Sequence, residues 1–382
     1  MVSLSEICSP SITPPTTATT SHHMKPIQLS DISRYRSELM GAAIIMIMLF
    51  HVPVPRADLF FGLKRMGNIG VDMFLFLSGI GLWFSWAKAT AADNMPVPPQ
   101  MAAKRYRQRI MQFYRRRFQR IYPTWLVVAC LYYMPQHLGV TLGHIDWTDM
   151  TLDILFNWNF WTRDELTFWY IPTIMALYLL SPYYMTLLQR DRSYQWLAVV
   201  PMVWCVMVQY VTPIHDAVGH IEIFWSRVPI FFLGINCGEA IRRRDTLSPA
   251  MLPLIAVLFA MAFGTSLWLE QMKHGLFPLF LERMLYIPFA VTLIILLAMA
   301  FRRSPRWILT AMAFCGGISL EIYLIHVQFI LNKIIPLHIH YWPTFLLTLV
   351  ITLPAAKLLQ KLVQLIMGQL YSRHTGTAKK QS

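Results

Sequence analysis

The chain has 382 residues, 56% of them hydrophobic and only 14% charged, with a net charge of +14 and a mean hydropathy of +0.46. A soluble globular protein carries about a quarter charged residues. Here the apolar excess is packed into runs of roughly 17 to 24 residues, the length that crosses a bilayer as helix, so composition excludes a soluble fold. The positive charge does not point to nucleic acid, because Lys and Arg stand at the ends of apolar runs rather than on one binding face.

The first 33 residues are rich in Ser, Thr and Pro. Without an apolar core and a small-residue cleavage site they are not a signal peptide, and they read as a disordered cytoplasmic tail, with Met24 as an alternative start. A membrane domain is expected over 34–368, and a cytoplasmic tail over 369–382. Within it ten spanning segments are predicted, near 39–54, 69–87, 118–136, 166–188, 195–212, 224–241, 250–269, 281–301, 307–332 and 342–366. The fold class is therefore all-α and polytopic. Charge supplies the orientation: eight cations from Lys104 to Arg120, then Arg190 and Arg192, Arg242 to Arg244, and Arg302, Arg303 and Arg306 fall on every second connection. That is the positive-inside pattern, and it puts both termini in the cytoplasm. Cys8, Cys130, Cys205, Cys237 and Cys315 show no metal-ligand spacing and read as small buried hydrophobes.

The long inner connection ends in KRYRQRIMQFYRRRFQR, helical in spacing with a strongly basic face. It can lie on anionic lipid headgroups or dock a phosphorylated donor, because guanidinium forks match phosphate geometry. The first segment carries Arg36 at its inner mouth and His51 fifteen residues later, about 22 Å along a helix axis. His51 thus falls in the outer half of the membrane. Asp72, Trp169, Tyr170, Arg227, Tyr323 and His326 reach similar depth from other segments, and Ser319, Tyr323 and His326 share a helix face. Singly, each has an ordinary explanation: a packed histidine, an interfacial aromatic belt, a snorkelling arginine. Jointly they outline a cavity, where a neutral imidazole is the natural general base. No Walker loop, dinucleotide fingerprint, HExxH or GxSxG is present, and His338 with His340 is too few ligands for a metal site. No metal and no bound cofactor are expected.

These residues carry a family resemblance. LFH at 49–51, GVDMFLFLSG at 70–79, RRRFQRIYPTW at 115–125, FWYIPTIMALYLLSP at 168–182, RVPIFFLGINCGE at 227–239 and GGISLEIYLIH at 316–326 are collinear landmarks. The chain resembles the acyltransferase-3 family of integral membrane O-acyltransferases over residues 34 to 368. The resemblance implies transfer of an acyl group, commonly acetyl from acetyl-CoA, to a hydroxyl of a glycan or lipid-linked saccharide outside the bacterial inner membrane. It makes His51 catalytic, as base or acyl carrier. An arginine usual in the family eleven residues before that histidine is Met40 here, and Arg36, one turn earlier on the same face, is the expected substitute. It further favours donor docking by Arg115, Arg116, Arg117 and Arg120. On this reading Asp72 orients the imidazole, Arg227, Tyr323 or His326 stabilises the oxyanion, and Trp169 and Tyr170 contact substrate. The competing classes are a transporter or flippase for a polar or lipid-linked sugar and a non-catalytic scaffold. Acyl-CoA dependence separates them from the enzyme.

Overall fold

In the computed structural model, residues 26–91, 98–139 and 146–378 are described; most of the expected N-terminal tail, residues 92–97 of the linker, residues 140–145 and the last four residues lie outside them. The architecture is helical. Its main elements are α1 (Arg36–His51), α2 (Ile69–Ala91), α3 (Pro99–Gly139), α4 (Trp147–Phe156), α5 (Tyr170–Arg190) and α6 (Val200–Tyr210). They continue with α7 (Val228–Arg243), α8 (Met251–Met272), α9 (Leu279–Phe301), α10 (Arg306–Gly317), α11 (Ser319–Ile325) and α12 (Tyr341–Ala378).

Helix occupies all ten expected segments. Six stretches are long and apolar enough to cross a membrane: Phe61–Ala91, Tyr170–Arg190, Met251–Met272, Leu279–Phe301, Ser319–Leu337 and Tyr341–Gln369. A seventh is the pair Arg192–Tyr210 and Thr212–Trp225, if that 102° bend belongs to one span. The protein is thus a multi-pass, all-α membrane protein. The other segments fall short for physical reasons: α1 and α7 have 16 residues each, and the hydropathy of α3 is diluted by its cations.

Three expected boundaries move. Ile27–Gln28 pairs antiparallel with Thr246–Leu247, and burial of Ile27 and Ile32 draws 26–34 out of the tail and onto the core. Pro99 opens α3 at a position that suits its missing N–H, and the basic surface helix runs without interruption into the third segment as one helix of 41 residues. At the other end, α12 continues to Ala378, past the expected boundary at 368.

The centre of the bundle is α1, α2 and α7, with α10 packed on the outside of α1; glycines bring these helices together. A Cβ on Gly41 of α1 would collide with the carbonyl of Met312 in α10, and one on Gly316 with that of Ser37. Gly79 and Gly234 do the same between α2 and α7, against the carbonyls of Phe231 and Phe76. Lipid gives helices no hydrophobic reason to associate, so close backbone packing has to supply the attraction. The result seats α1 with Leu39, Ala43, Ile44, Ile47 and Met48 fully buried.

Downstream, the chain breaks at Ile318 between α10 and α11, and the Gly317 carbonyl is satisfied by the Gln360 side-chain amide of α12 (2.8 Å). Helix α11 then passes into a π-helical turn over His326–Leu331, a distortion frequent at functional sites. Gly41→Ala and Gly316→Ala are each expected to destabilise by about 1–3 kcal/mol through overpacking. Gly264→Ala on α8, where a Cβ meets nothing within 4 Å, should leave thermal unfolding in detergent unchanged or slightly raised. Equal unfolding midpoints for the three variants would contradict this packing.

Candidate active site

His51 is the last residue of α1, and His326 is the first of the π-turn. Their rings meet edge to face with centroids 5.0 Å apart, and His326 Nε2 lies 3.3 Å from His51 Nδ1. The backbone fixes both tautomers. His326 Nδ1 faces the carbonyls of Ile322 (2.9 Å) and Tyr323 (3.0 Å). His51 Nδ1 faces that of Ile47 (2.8 Å). A carbonyl can only accept, so each Nδ1 carries the proton. His326 Nε2 is then an acceptor aimed at the His51 Nδ1–H. The lone pair on His51 Nε2 remains for substrate, with no protein partner among the described residues.

His51 and His326 line a cavity together with Phe168, Trp169, Tyr323 and a ring of charged residues. A second cavity is lined by Arg36, Met40, Arg117, Arg120, Tyr170 and Tyr178. Both cavities have Ile47, Val71 and Tyr323 in their walls, so they abut end to end along α1. One end is basic; the other holds the imidazoles. Tyr323 stands at the junction. Its hydroxyl accepts the Tyr170 backbone N–H (3.1 Å), an orphan donor at the first turn of α5. Its own O–H proton is therefore left to give.

Asp72 does not orient His51, contrary to the sequence expectation. Its carboxylate is ion-paired with Arg227, and the two side chains are 1% and 0% exposed. Arg227 also donates to Asn68 (3.2 Å) and lies between the rings of Trp169 (6.0 Å) and Tyr286 (5.9 Å). The Arg227 Nε–H is buried without a hydrogen-bond partner among the described residues, but Arg227 lines neither cavity, so that proton does not reach an oxyanion formed there. The pair instead braces Asn68 and Trp169, which do line the outer one. His326, with its donor spent on carbonyls, cannot serve an oxyanion either. Of the three candidates only Tyr323 both lines the cavities and has a proton to offer.

The basic candidates divide as well. Arg36, Arg117 and Arg120 line the inner cavity, with Arg36 also donating to the Leu77 carbonyl (3.2 Å). Arg116 faces a different cleft, and Arg115 is exposed and lines neither. Trp169 and Tyr170 fall in different cavities. The wall at Leu166–Trp169 is set by a buried polar network. The Tyr133 hydroxyl donates to Asn157 (2.8 Å), and Asn157 donates to the Thr167 carbonyl (2.8 Å). Asp153 accepts from the Asn159 backbone and side chain.

Sequence reasoning missed the charged ring of the outer cavity: Arg65, Glu270, Glu282 and Arg283. Arg65 donates to Glu270 (3.1 Å), and Arg283 donates to Ser226 (3.0 Å). The signal was present, since Glu282 and Arg283 interrupt the start of an apolar run.

A family model described as an acyltransferase domain, that of acyltransferase family 3, matches residues 41–360. No curated protein matches the chain, and no solved structure does.

Asp72→Ala leaves Arg227 buried and unpaired, and is expected to destabilise the fold by about 3–5 kcal/mol. Thermal unfolding of the purified variant checks this. Wild-type stability with lost activity would return Asp72 to His51.

Proposed function

The chain belongs to the acyltransferase-3 family and is an acyltransferase; from that premise we propose that it moves an acyl group from a cytoplasmic acyl-CoA to a hydroxyl of a carbohydrate acceptor beyond the bacterial inner membrane. Acetyl is the simplest group that fits. The ten segments all cross in this reading, with both termini cytoplasmic, as the alternation of basic connections supports. The observation that carries the proposal is the pair of abutting cavities, basic at one end and holding an unprotonated imidazole nitrogen at the other.

The donor enters from the basic end, past Arg36, Arg117 and Arg120, and its thioester arm passes Tyr323 toward His51. Arg36 supplies the cation that the family arginine, replaced by Met40, does not. The acceptor occupies the outer cavity, where Trp169, only partly buried, offers its ring to a sugar and the charged ring meets its hydroxyls. His51 Nε2 takes the proton of the acceptor hydroxyl. The oxygen bonds to the thioester carbonyl carbon, and negative charge develops on the carbonyl oxygen, where the Tyr323 O–H donates. Collapse breaks the C–S bond. The sulfur leaves as thiolate and takes the proton back from the His51 imidazolium, which His326 Nε2 stabilises through the Nδ1–H meanwhile.

His51→Ala is expected to lower acyl transfer at least about 10²-fold, the scale of general-base catalysis, with membrane insertion and unfolding temperature retained. Labelled acetyl-CoA and purified protein measure the transfer. Loss of ester-linked acyl groups from envelope glycans in cells lacking the protein identifies the acceptor class. Tyr323→Phe should lower kcat about 10²-fold with the donor KM little changed. Unchanged acylation in the His51 variant would remove the imidazole from the reaction.

A further inference from the structure

Not all the cations of α3 line the inner cavity: Arg105, Arg109 and Arg116 line a separate cleft. Residues Arg105, Arg109, Gln112 and Arg116 are spaced four, three and four apart, so at about 100° per residue they form one stripe. That stripe faces Lys88 and its neighbours near the end of α2 across a cleft. Among the described residues, four cations line this cleft and no carboxylate does. The Arg109 guanidinium stands 5.5 Å over the ring of Trp86, itself held by its Nε1–H to Gln189 (3.1 Å). Part of the positive charge is thus held in place by packing.

Two further facts identify the occupant. The next residue on the stripe, four beyond Arg116, is Arg120, which lines the inner cavity, so cleft and cavity are successive stations along one helix face. Met111 and Phe118, both exposed, lie about half a turn around the helix from the stripe. Exposed apolar side chains mark the lipid side, so the basic stripe opens toward water and a soluble anion. A single phosphodiester would also leave most of four cations unmatched.

We propose that the cleft of Lys88, Arg105, Arg109 and Arg116 binds the phosphorylated nucleotide end of the donor, so that the inner cavity takes chiefly its phosphate-free thioester arm. The inference rests on the reading of the donor as an acyl-CoA. Arginine forks grip phosphate oxygens in pairs, and Gln108 and Gln112, on the same wall, present amides to a base. The cleft then acts as a selector, favouring a thioester that carries a phosphorylated nucleotide over one that carries the bare arm.

The test is steady-state transfer by purified full-length protein from two donors, acetyl-CoA and S-acetylpantetheine, which share the thioester arm but not the nucleotide. Wild-type protein is expected to prefer acetyl-CoA and to be inhibited competitively by adenosine 3′,5′-bisphosphate. Arg105→Ala combined with Arg116→Ala should raise the acetyl-CoA KM at least about tenfold, collapse the preference between the donors and abolish inhibition by the bisphosphate. Lys88→Glu, on the opposite wall, should reproduce all three effects. Unchanged preference and inhibition in these variants would overturn the cleft while leaving the acyl-CoA reading intact. Displacement of the bisphosphate by phosphatidylglycerol nanodiscs, but not by phosphatidylcholine ones, would make the cleft a lipid site and overturn it too. A wild-type protein that transfers from neither thioester would overturn both.

Discussion

The Ile47 carbonyl sets the chemistry of this site. By accepting from His51 Nδ1 it holds the proton on the inner nitrogen and leaves Nε2 unprotonated toward the cavity. The same device acts on His326, whose Nδ1 is held by two carbonyls because the helix is opening there into a π-turn. Two neutral imidazoles then stand edge to face with complementary nitrogens, one donor and one acceptor. Buried polar groups left unmatched are costly, so two histidines at membrane depth persist when each completes the other.

Such a site needs rigid support, and the bundle supplies it with backbone contact and one buried ion pair. Glycines let α10 press on α1, and Gly70 of α2 meets the Ala43 carbonyl of α1 closely, which fixes the ring-bearing end of that helix. Arg227 and Asp72, wholly enclosed, brace Asn68 and Trp169 in the cavity wall. A buried pair is weak as a source of stability but severe when broken. In this protein its value is positional: it ties the start of α7 to the start of α2, beside the outer cavity.

Much of the fold was legible in the sequence because membranes impose a coarse code. Length and hydropathy marked where helices form, and His51, Tyr323 and His326 stood out because polar groups in apolar runs are rare. What sequence could not supply was pairing. Asp72 and His51 share a depth, but whether a carboxylate turns to an imidazole or to a guanidinium depends on helix rotation and neighbours, and Arg227 won. Arg115, Arg116, Arg117 and Arg120 form one run in sequence, yet helical geometry sends them to different faces. Glu282 and Arg283 were visible as charges in an apolar run but were passed over, because they begin a segment where a charge is ordinarily interfacial.

The central claim is that a thioester arm admitted at the basic end reaches His51 through the junction at Ile47, Val71 and Tyr323. An experimental structure with a non-transferable thioether analogue of acetyl-CoA tests it directly. The account predicts the analogue threaded past Tyr323, its phosphates at the arginines of α3 and its keto group in the outer cavity beside His51 Nε2. An analogue that ends on the basic side of Tyr323, or that binds away from this path, would contradict it.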